Sequence, residues 1–128
     1  MGQATLVIVE DDLLFAEALT ALVESVGYRV LSTAASEPSA IKAVLDFRPD
    51  AVLMDIKLES GNGLNAARVI REKSQVPIIF CTSYSGDAEI QRAVQQLSNA
   101  SLIDKVIDEA KLVGLLDDVL RGACAPVV

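Results

Sequence analysis

The chain has 128 residues, the size of one domain, and its 52% hydrophobic and 23% charged content supports a packed core and excludes wholesale disorder. A formal net charge of −7 and a sequence pI near 4.4 argue against nonspecific binding to nucleic acid or an anionic membrane, which call for basic patches. The same balance permits a carboxylate-rich site neutralised by a divalent cation, and the absence of histidine removes histidine catalysis and the commonest transition-metal ligand.

Short apolar runs alternate with amphipathic segments from end to end. Residues 6–9 form the first run. Phe15, Leu19, Leu22, Val23 and Val26 follow at offsets 0, 4, 7, 8 and 11, which predicts one apolar helical face ended by Gly27. The second run covers residues 28–33. Ser36 and Pro38 suit the start of a second helix, and Pro49 stops it. Residues 51–54 form the third run, with Gly63 just before a third helix. Pro77 precedes the fourth run at 78–81, and Asp87 is a cap for a fourth helix in which Ile90, Ala93, Val94 and Leu97 take offsets 0, 3, 4 and 7. A weaker run at 101–103 precedes a fifth helix with Leu112, Leu115, Leu116 and Val119 at the same offsets.

Strict strand–helix alternation, five times over, predicts an α/β fold with a parallel sheet. Strands buried on both faces read as continuous apolar runs. LVIV, AVLM and IIFC do so and are expected at the centre; the second run carries Arg29 and Ser32 and the fifth is short, so both are expected at the edges. That pattern matches the doubly wound order 2-1-3-4-5, in which a ligand crevice lies beyond the carboxyl ends of strands one and three. Residues 1–128 read as one domain with a core over about 5–121, and no linker, low-complexity tract or repeat interrupts them. With aromatics at 4% and no Trp, the core must be built from Val, Leu, Ile and Ala. Cys81 lies in an apolar run as a small buried hydrophobe, whereas Cys124 falls in the terminal tail, so no disulfide framework is expected. No leader precedes Thr5 and no apolar run approaches the ~20 residues of a membrane span, so a cytoplasmic location is expected.

The residues that close each strand carry the chemistry. Strand one ends in Glu10-Asp11-Asp12, strand three in Asp55, strand four in Thr82-Ser83 and strand five in Asp104-Lys105. In a parallel sheet these ends share one edge, so carboxylates, a hydroxyl and an ammonium converge over the switch point. Carboxylates without His or Cys make a hard oxygen site suited to Mg²⁺, which keeps several waters and accepts a phosphate oxygen. One carboxylate could attack phosphorus and form an aspartyl phosphate, while a hydroxyl and a lysine hold the remaining oxygens. Acidic residues after a strand also serve as helix caps, and Asp12 reads as one. Gly61-Asn62-Gly63 lacks the third glycine of a phosphate-loop pattern and reads as a plain turn.

The segments LVIVEDD, AVLMDIKLESGNG, PIIFCTS and ASLIDKV resemble, in order and spacing over nearly the whole chain, the receiver domains of two-component response regulators, the chemotaxis regulator among them. The resemblance implies a flavodoxin-like receiver fold with five helices. It implies Asp55 as phosphoacceptor, Glu10 and Asp11 as the acidic pair at a Mg²⁺ ion shared with Asp55 and the Lys57 backbone carbonyl, Thr82 as the switch hydroxyl and Lys105 as the cation that pairs with the phosphoryl group. The donor would be a phosphohistidine on a sensor histidine kinase or a histidine phosphotransfer protein. Output to a downstream protein target is expected through the fourth-helix to fifth-helix face, with a homodimer through that face as one option. Neither nucleic acid nor membrane is an expected partner of the domain, and it would not be a conventional enzyme but a phosphoacceptor that assists its own phosphorylation and dephosphorylation.

Three departures from the family pattern stand out. Leu102 occupies the position, three before the lysine, where the family has an aromatic that turns inward with the switch threonine. Val106 follows the lysine where Pro, often after a cis bond, is usual; a cis bond before a non-proline residue costs ~3 kcal/mol, so a trans or strained loop is expected. Lys57 and Tyr84 take the two positions that flank the phosphoryl group and tune its hydrolysis, and a cation and a bulky ring there predict a slow-decaying phosphoform. The competing reading is a pseudo-receiver that binds partners without phosphorylation. An aspartate-nucleophile phosphatase would want a second Asp where Lys57 stands, and a flavin phosphate would be repelled by Glu10-Asp11-Asp12.

Overall fold

A computed structural model describes residues 3–105 and 108–124, with side chains through residue 120. Five strands, β1 (Thr5–Val9), β2 (Arg29–Ala34), β3 (Ala51–Met54), β4 (Ile78–Thr82) and β5 (Ala100–Asp104), alternate with helices α1 (Leu13–Ser25), α2 (Glu37–Phe47), α3 (Gly63–Arg71), α4 (Ala88–Gln96) and α5 (Glu109–Cys124). All pairings are parallel and the order is β2-β1-β3-β4-β5, as the continuous apolar runs predict. The three central strands are buried on both faces, so alternation of side chains replaces alternation of polarity. Val7, Val9, Val52, Met54, Ile78 and Phe80 face Ala40, Val44, Ala66, Ile70 and Val94 of α2, α3 and α4. Leu6, Ile8, Leu53, Ile79, Cys81 and Ile103 face Leu19 and Val23 of α1 and Leu112 and Leu116 of α5. The sheet is therefore a dry slab clamped between two helical layers, and only its ends are available to polar chemistry.

Local chemistry sets the helix boundaries. Asp12 caps α1 by accepting the Leu14 and Phe15 amides, Ser36 and Ser39 form a reciprocal capping box at α2, and Asp87 caps α4 through Glu89 and Ile90. Gly27 follows α1 at φ +103°, a conformation that favours glycine. Four expectations shift by a residue or a turn. Val26 is not on the buried face of the first helix: α1 stops at Ser25, and Val26, its cap, is 46% exposed. Leu97 lies just past the end of α4, where it caps the helix in extended backbone and still packs against the core. Gly63 is the first residue of α3 rather than the residue before it, because the Asn62 side chain takes the Asn65 amide and is the cap. Cys124 is not in a tail but ends α5.

Candidate functional site

The carboxyl ends of β1 and β3 hold their acidic residues with backbone bonds that continue the sheet one step further. Glu10 N–H donates to Ala34 O at 2.8 Å and Asp55 N–H donates to Val9 O at 2.9 Å. These bonds fix where the two side chains start, and both residues are buried: Glu10 is 2% and Asp55 6% exposed. With Asp11 they present three carboxylate oxygens that all lie within 4.8 Å of one another. Lys105, at the end of β5, reaches across this cluster. Its Nζ stands 2.7 Å from Glu10 Oε1 and 3.1 Å from Asp55 Oδ2. Glu10 Oε2 accepts the Asp12 N–H at 2.9 Å, so both of its oxygens are engaged.

The environment sets proton affinities in opposing ways. Burial pushes the Glu10 carboxyl above its ordinary range, the Lys105 ammonium and the Asp12 amide hold it down, and the Asp55 charge and the Asp11 contact raise it further. Burial alone would lower Lys105, but its bonds to Glu10 and Asp55 outweigh that and its affinity for a proton rises. The ammonium is further held 4.7 Å from the centre of the Phe15 ring. Cys81, buried near the end of β4, is pushed up to about 12 by burial first and then by the Asp55 and Glu10 charges, which makes its thiol inert.

Two further groups border the cluster. Thr82 is buried at the end of β4; its hydroxyl accepts the Tyr84 amide at 3.2 Å and its carbonyl accepts the Lys105 amide at 3.0 Å. Lys57 Nζ donates to the Tyr84 hydroxyl at 3.1 Å and lies 4.6 Å from the ring centre. This exposed pair spans from the loop after β3 to the loop after β4. The segment that follows Tyr84 is tied down in turn, because Ser85 Oγ donates to Asp104 Oδ2 and Gln91 Nε2 donates to Ser85 O, each at 2.8 Å.

The structure thus gathers Glu10, Asp11, Asp55 and Lys105 into one cluster and places Thr82 and Lys57 at adjacent loop and strand ends. Leu102 lies on β5 opposite Phe80, partly buried against the core beside α4. The expectation about the bond before Val106 lies outside the described residues. Several contributors escaped the sequence reading. Gly63 looked like turn material, yet a Cβ there would sit 2.1 Å from the Asp55 carbonyl oxygen, so α3 can approach Asp55 this closely only without one. Phe15 read as a core residue because a cation–π partner and a packing residue look alike in an apolar stripe. Leu13 and Leu14, in the first turn of α1, are 73% and 79% exposed.

The donor set fits a hard divalent cation. Three clustered carboxylates offer oxygen alone, without nitrogen or sulfur, and the nearby ammonium shows that the cluster attracts positive charge.

A family model for the response regulator receiver domain matches residues 6–117, and the chain belongs to that family. The transcriptional regulatory protein YdfI of Bacillus subtilis is 29% identical over 116 residues, which are 90% of this chain and 54% of the relative. The chain spans about half the length, or less, of the curated relatives it matches. Among solved structures, the receiver domain of the PhyR response regulator of Erythrobacter litoralis superposes with a TM-score of 0.84 at 29% identity, covering all of this chain and 98% of that one. The receiver domain of the sensor histidine kinase PA1611 of Pseudomonas aeruginosa, solved with a magnesium ion coordinated in its active site cleft, gives a TM-score of 0.82 at 29% identity over 94% of this chain and 98% of that one. No helix among the described residues is long and apolar enough to cross a membrane.

Proposed function

We propose that this receiver domain accepts a phosphoryl group on Asp55 from a phosphohistidine donor in a Mg²⁺-dependent reaction, and that the modification switches a protein-binding surface. The observation that carries the proposal is the buried cluster of Glu10, Asp11 and Asp55 with Lys105 bridging two of its members. An Asp55 carboxylate oxygen would attack phosphorus as the phosphorus–nitrogen bond of the donor breaks; the leaving imidazole nitrogen keeps the electron pair, and an acyl phosphate forms. Mg²⁺, when bound by Glu10, Asp11, Asp55 and the Lys57 carbonyl, would screen the charge that builds on the phosphoryl oxygens. Lys105 would follow one of those oxygens, and the Thr82 hydroxyl would leave the Tyr84 amide to donate to another.

Leu13 and Leu14 are suited to receive the apolar surface of a sensor kinase or histidine phosphotransfer protein, since they stand exposed directly after the acidic pair. A downstream protein would read the α4–α5 face, and a cytoplasmic setting suits both partners. The domain would act as a self-assisting phosphoacceptor rather than a conventional enzyme. Leu102 favours a second reading, a pseudo-receiver that works without phosphate, because it lacks the ring whose inward turn accompanies the switch threonine in the family. One experiment separates the two. The chain and its Asp55→Asn variant are incubated with acetyl phosphate with and without Mg²⁺, and intact masses are measured. Gain of one phosphoryl group that needs both Mg²⁺ and Asp55 is expected; no adduct, together with no Mg²⁺ binding, would overturn the proposal in favour of the pseudo-receiver.

A further inference from the structure

The loop that carries Lys57 is built as a small closed hairpin. Lys57 and Asn62 face each other as an antiparallel pair, and Gly63 N–H donates to Ile56 O at 2.7 Å on the inner side of that pair. Four residues, 58–61, close the turn, and Gly61 takes φ +81° within it. The Ser60 carbonyl and the Asn62 amide turn toward α2 and find their partners there. There the first residue of α2 meets them with its backbone amide and its side-chain carboxylate. Glu37 N–H donates to Ser60 O at 2.8 Å, and Glu37 Oε1 accepts the Asn62 N–H at 3.0 Å. Ser36 and Ser60 pair as a parallel bridge beside these bonds. The Glu37 side chain lies so close over Gly61 that a Cβ there would fall 2.4 Å from Oε1 and 2.5 Å from the Glu37 Cβ.

We propose that Glu37 is a positioning residue for the divalent cation: by gripping Ser60 and Asn62 it fixes the hairpin from which Lys57 offers its carbonyl. The inference rests on the Mg²⁺ site proposed above, and it adds to that site a side chain from an element that contributes no ligand. The chemistry argues for this role over capping alone. Ser36 and Ser39 already satisfy the start of α2 between them, so the Glu37 carboxylate is not needed as a cap. An acidic first-turn residue favours the helix dipole by charge alone, whatever its reach. The bond to Asn62 needs an oxygen acceptor at the end of two methylenes.

Those two requirements can be pulled apart by substitution. Glu37→Gln keeps the acceptor and its reach and loses the charge; Glu37→Asp keeps the charge and loses the reach; Glu37→Ala loses both. The readouts are Mg²⁺ titration by calorimetry and, in metal-free protein, hydrogen exchange at the Asn62 amide by NMR. Glu37→Gln is expected to match the wild type in both. Glu37→Asp and Glu37→Ala are expected to bind Mg²⁺ about tenfold more weakly, the lower range for losing the outer support of a metal ligand, and to exchange the Asn62 amide faster. Unchanged Mg²⁺ affinity and Asn62 exchange in Glu37→Ala would overturn the inference while leaving the functional reading standing. So would a Glu37→Gln variant as weak as Glu37→Ala, since charge rather than the acceptor would then be the cause. A wild-type chain that binds no Mg²⁺ would instead overturn the functional reading, and this inference with it.

Discussion

Lys105 holds together charges that would otherwise repel, and replacing it with methionine measures how much. Its ammonium lies 2.7 Å from Glu10 and 3.1 Å from Asp55. At an effective dielectric of about 20 those contacts carry a gross attraction of about 6 and about 5 kcal/mol. Most of that is offset by burying an ammonium whose side chain keeps 19% exposure, and by burying the carboxylates themselves. What remains on deletion is the penalty of leaving two buried carboxylates beside Asp11 without a counter-charge. Removing one partner of a buried pair costs 3–5 kcal/mol, and the residual exposure of Lys105 places the expected loss at the lower end, about 3 kcal/mol. Urea unfolding followed by circular dichroism in EDTA should show it: with a slope of roughly 1.5 kcal/mol per molar, the midpoint of Lys105→Met falls by about 2 M. The same substitution should strengthen Mg²⁺ binding, because the ammonium no longer occupies the oxygens the ion would use. Saturating Mg²⁺ at a hundredfold its dissociation constant would then restore about 2.7 kcal/mol. A Lys105→Met variant that unfolds at the wild-type midpoint in EDTA, or that binds Mg²⁺ more weakly than the wild type, would refute this reasoning.

Two further outcomes follow from the site's borders. If the Lys57–Tyr84 pair shields a phosphoryl group on Asp55 from water, Tyr84→Ala and Lys57→Ala should each shorten the phosphoform's half-life about fivefold, equivalent to ~1 kcal/mol of barrier, as read by intact mass after quenching the donor; equal half-lives would count against shielding. Cys81 keeps its proton up to about 12 in the folded chain, against an ordinary value of 9.0, so the unfolded state is the first to lose it as pH rises. Its contribution to stability is therefore fully present below about 9 and lost as pH climbs through about 12. In a Cys124→Ser background, stability should fall more steeply over that window with Cys81 than with Cys81→Ala, and a thiol reagent at pH 8 should label Cys81 only at the rate of unfolding.

The fold was legible because its signals were redundant. Each central strand is a run of four or more apolar residues, and each run is punctuated by Gly, Pro or a capping residue, so hydrophobic pattern and local chemistry point to one topology. The candidate site was legible for a related reason. Once five parallel strands are recognised, the residues after them share an edge, and Glu10, Asp11, Asp55 and Lys105 need no further information to be brought together. The misses have a common physical cause, which is that they depend on approach distances rather than on residue type. Gly63 is required by the 2.1 Å that a Cβ would leave to the Asp55 carbonyl oxygen, a consequence of how α3 leans on β3. Glu37 looks like an ordinary first-turn acid, and only the path of the chain from 57 to 62 turns it into a clamp. Val26 satisfied the helical spacing, but the helix ended one residue earlier, at a boundary that Gly27 marks only to within a turn.

The charge of the cluster explains why such an unfavourable arrangement is worth keeping at the switch point. Three carboxylates face one ammonium, which leaves two uncompensated negative charges, the charge that one divalent cation carries. A divalent metal ion bound among these carboxylates would make the site formally neutral, once the Lys105 ammonium had given up the oxygens the ion needs. Placing a phosphoryl group on Asp55 would then add negative charge to a neutral site. The Lys105 ammonium already touches Asp55, and following a phosphoryl oxygen there would draw it away from Glu10. Glu10 keeps its other anchor, the Asp12 amide, at 2.9 Å. Any shift of the Lys105 backbone that accompanies this would reach the end of β4, because the Lys105 amide is bonded to the Thr82 carbonyl at 3.0 Å. In this chain that link runs through backbone, and it is available whether position 102 carries a leucine or an aromatic ring.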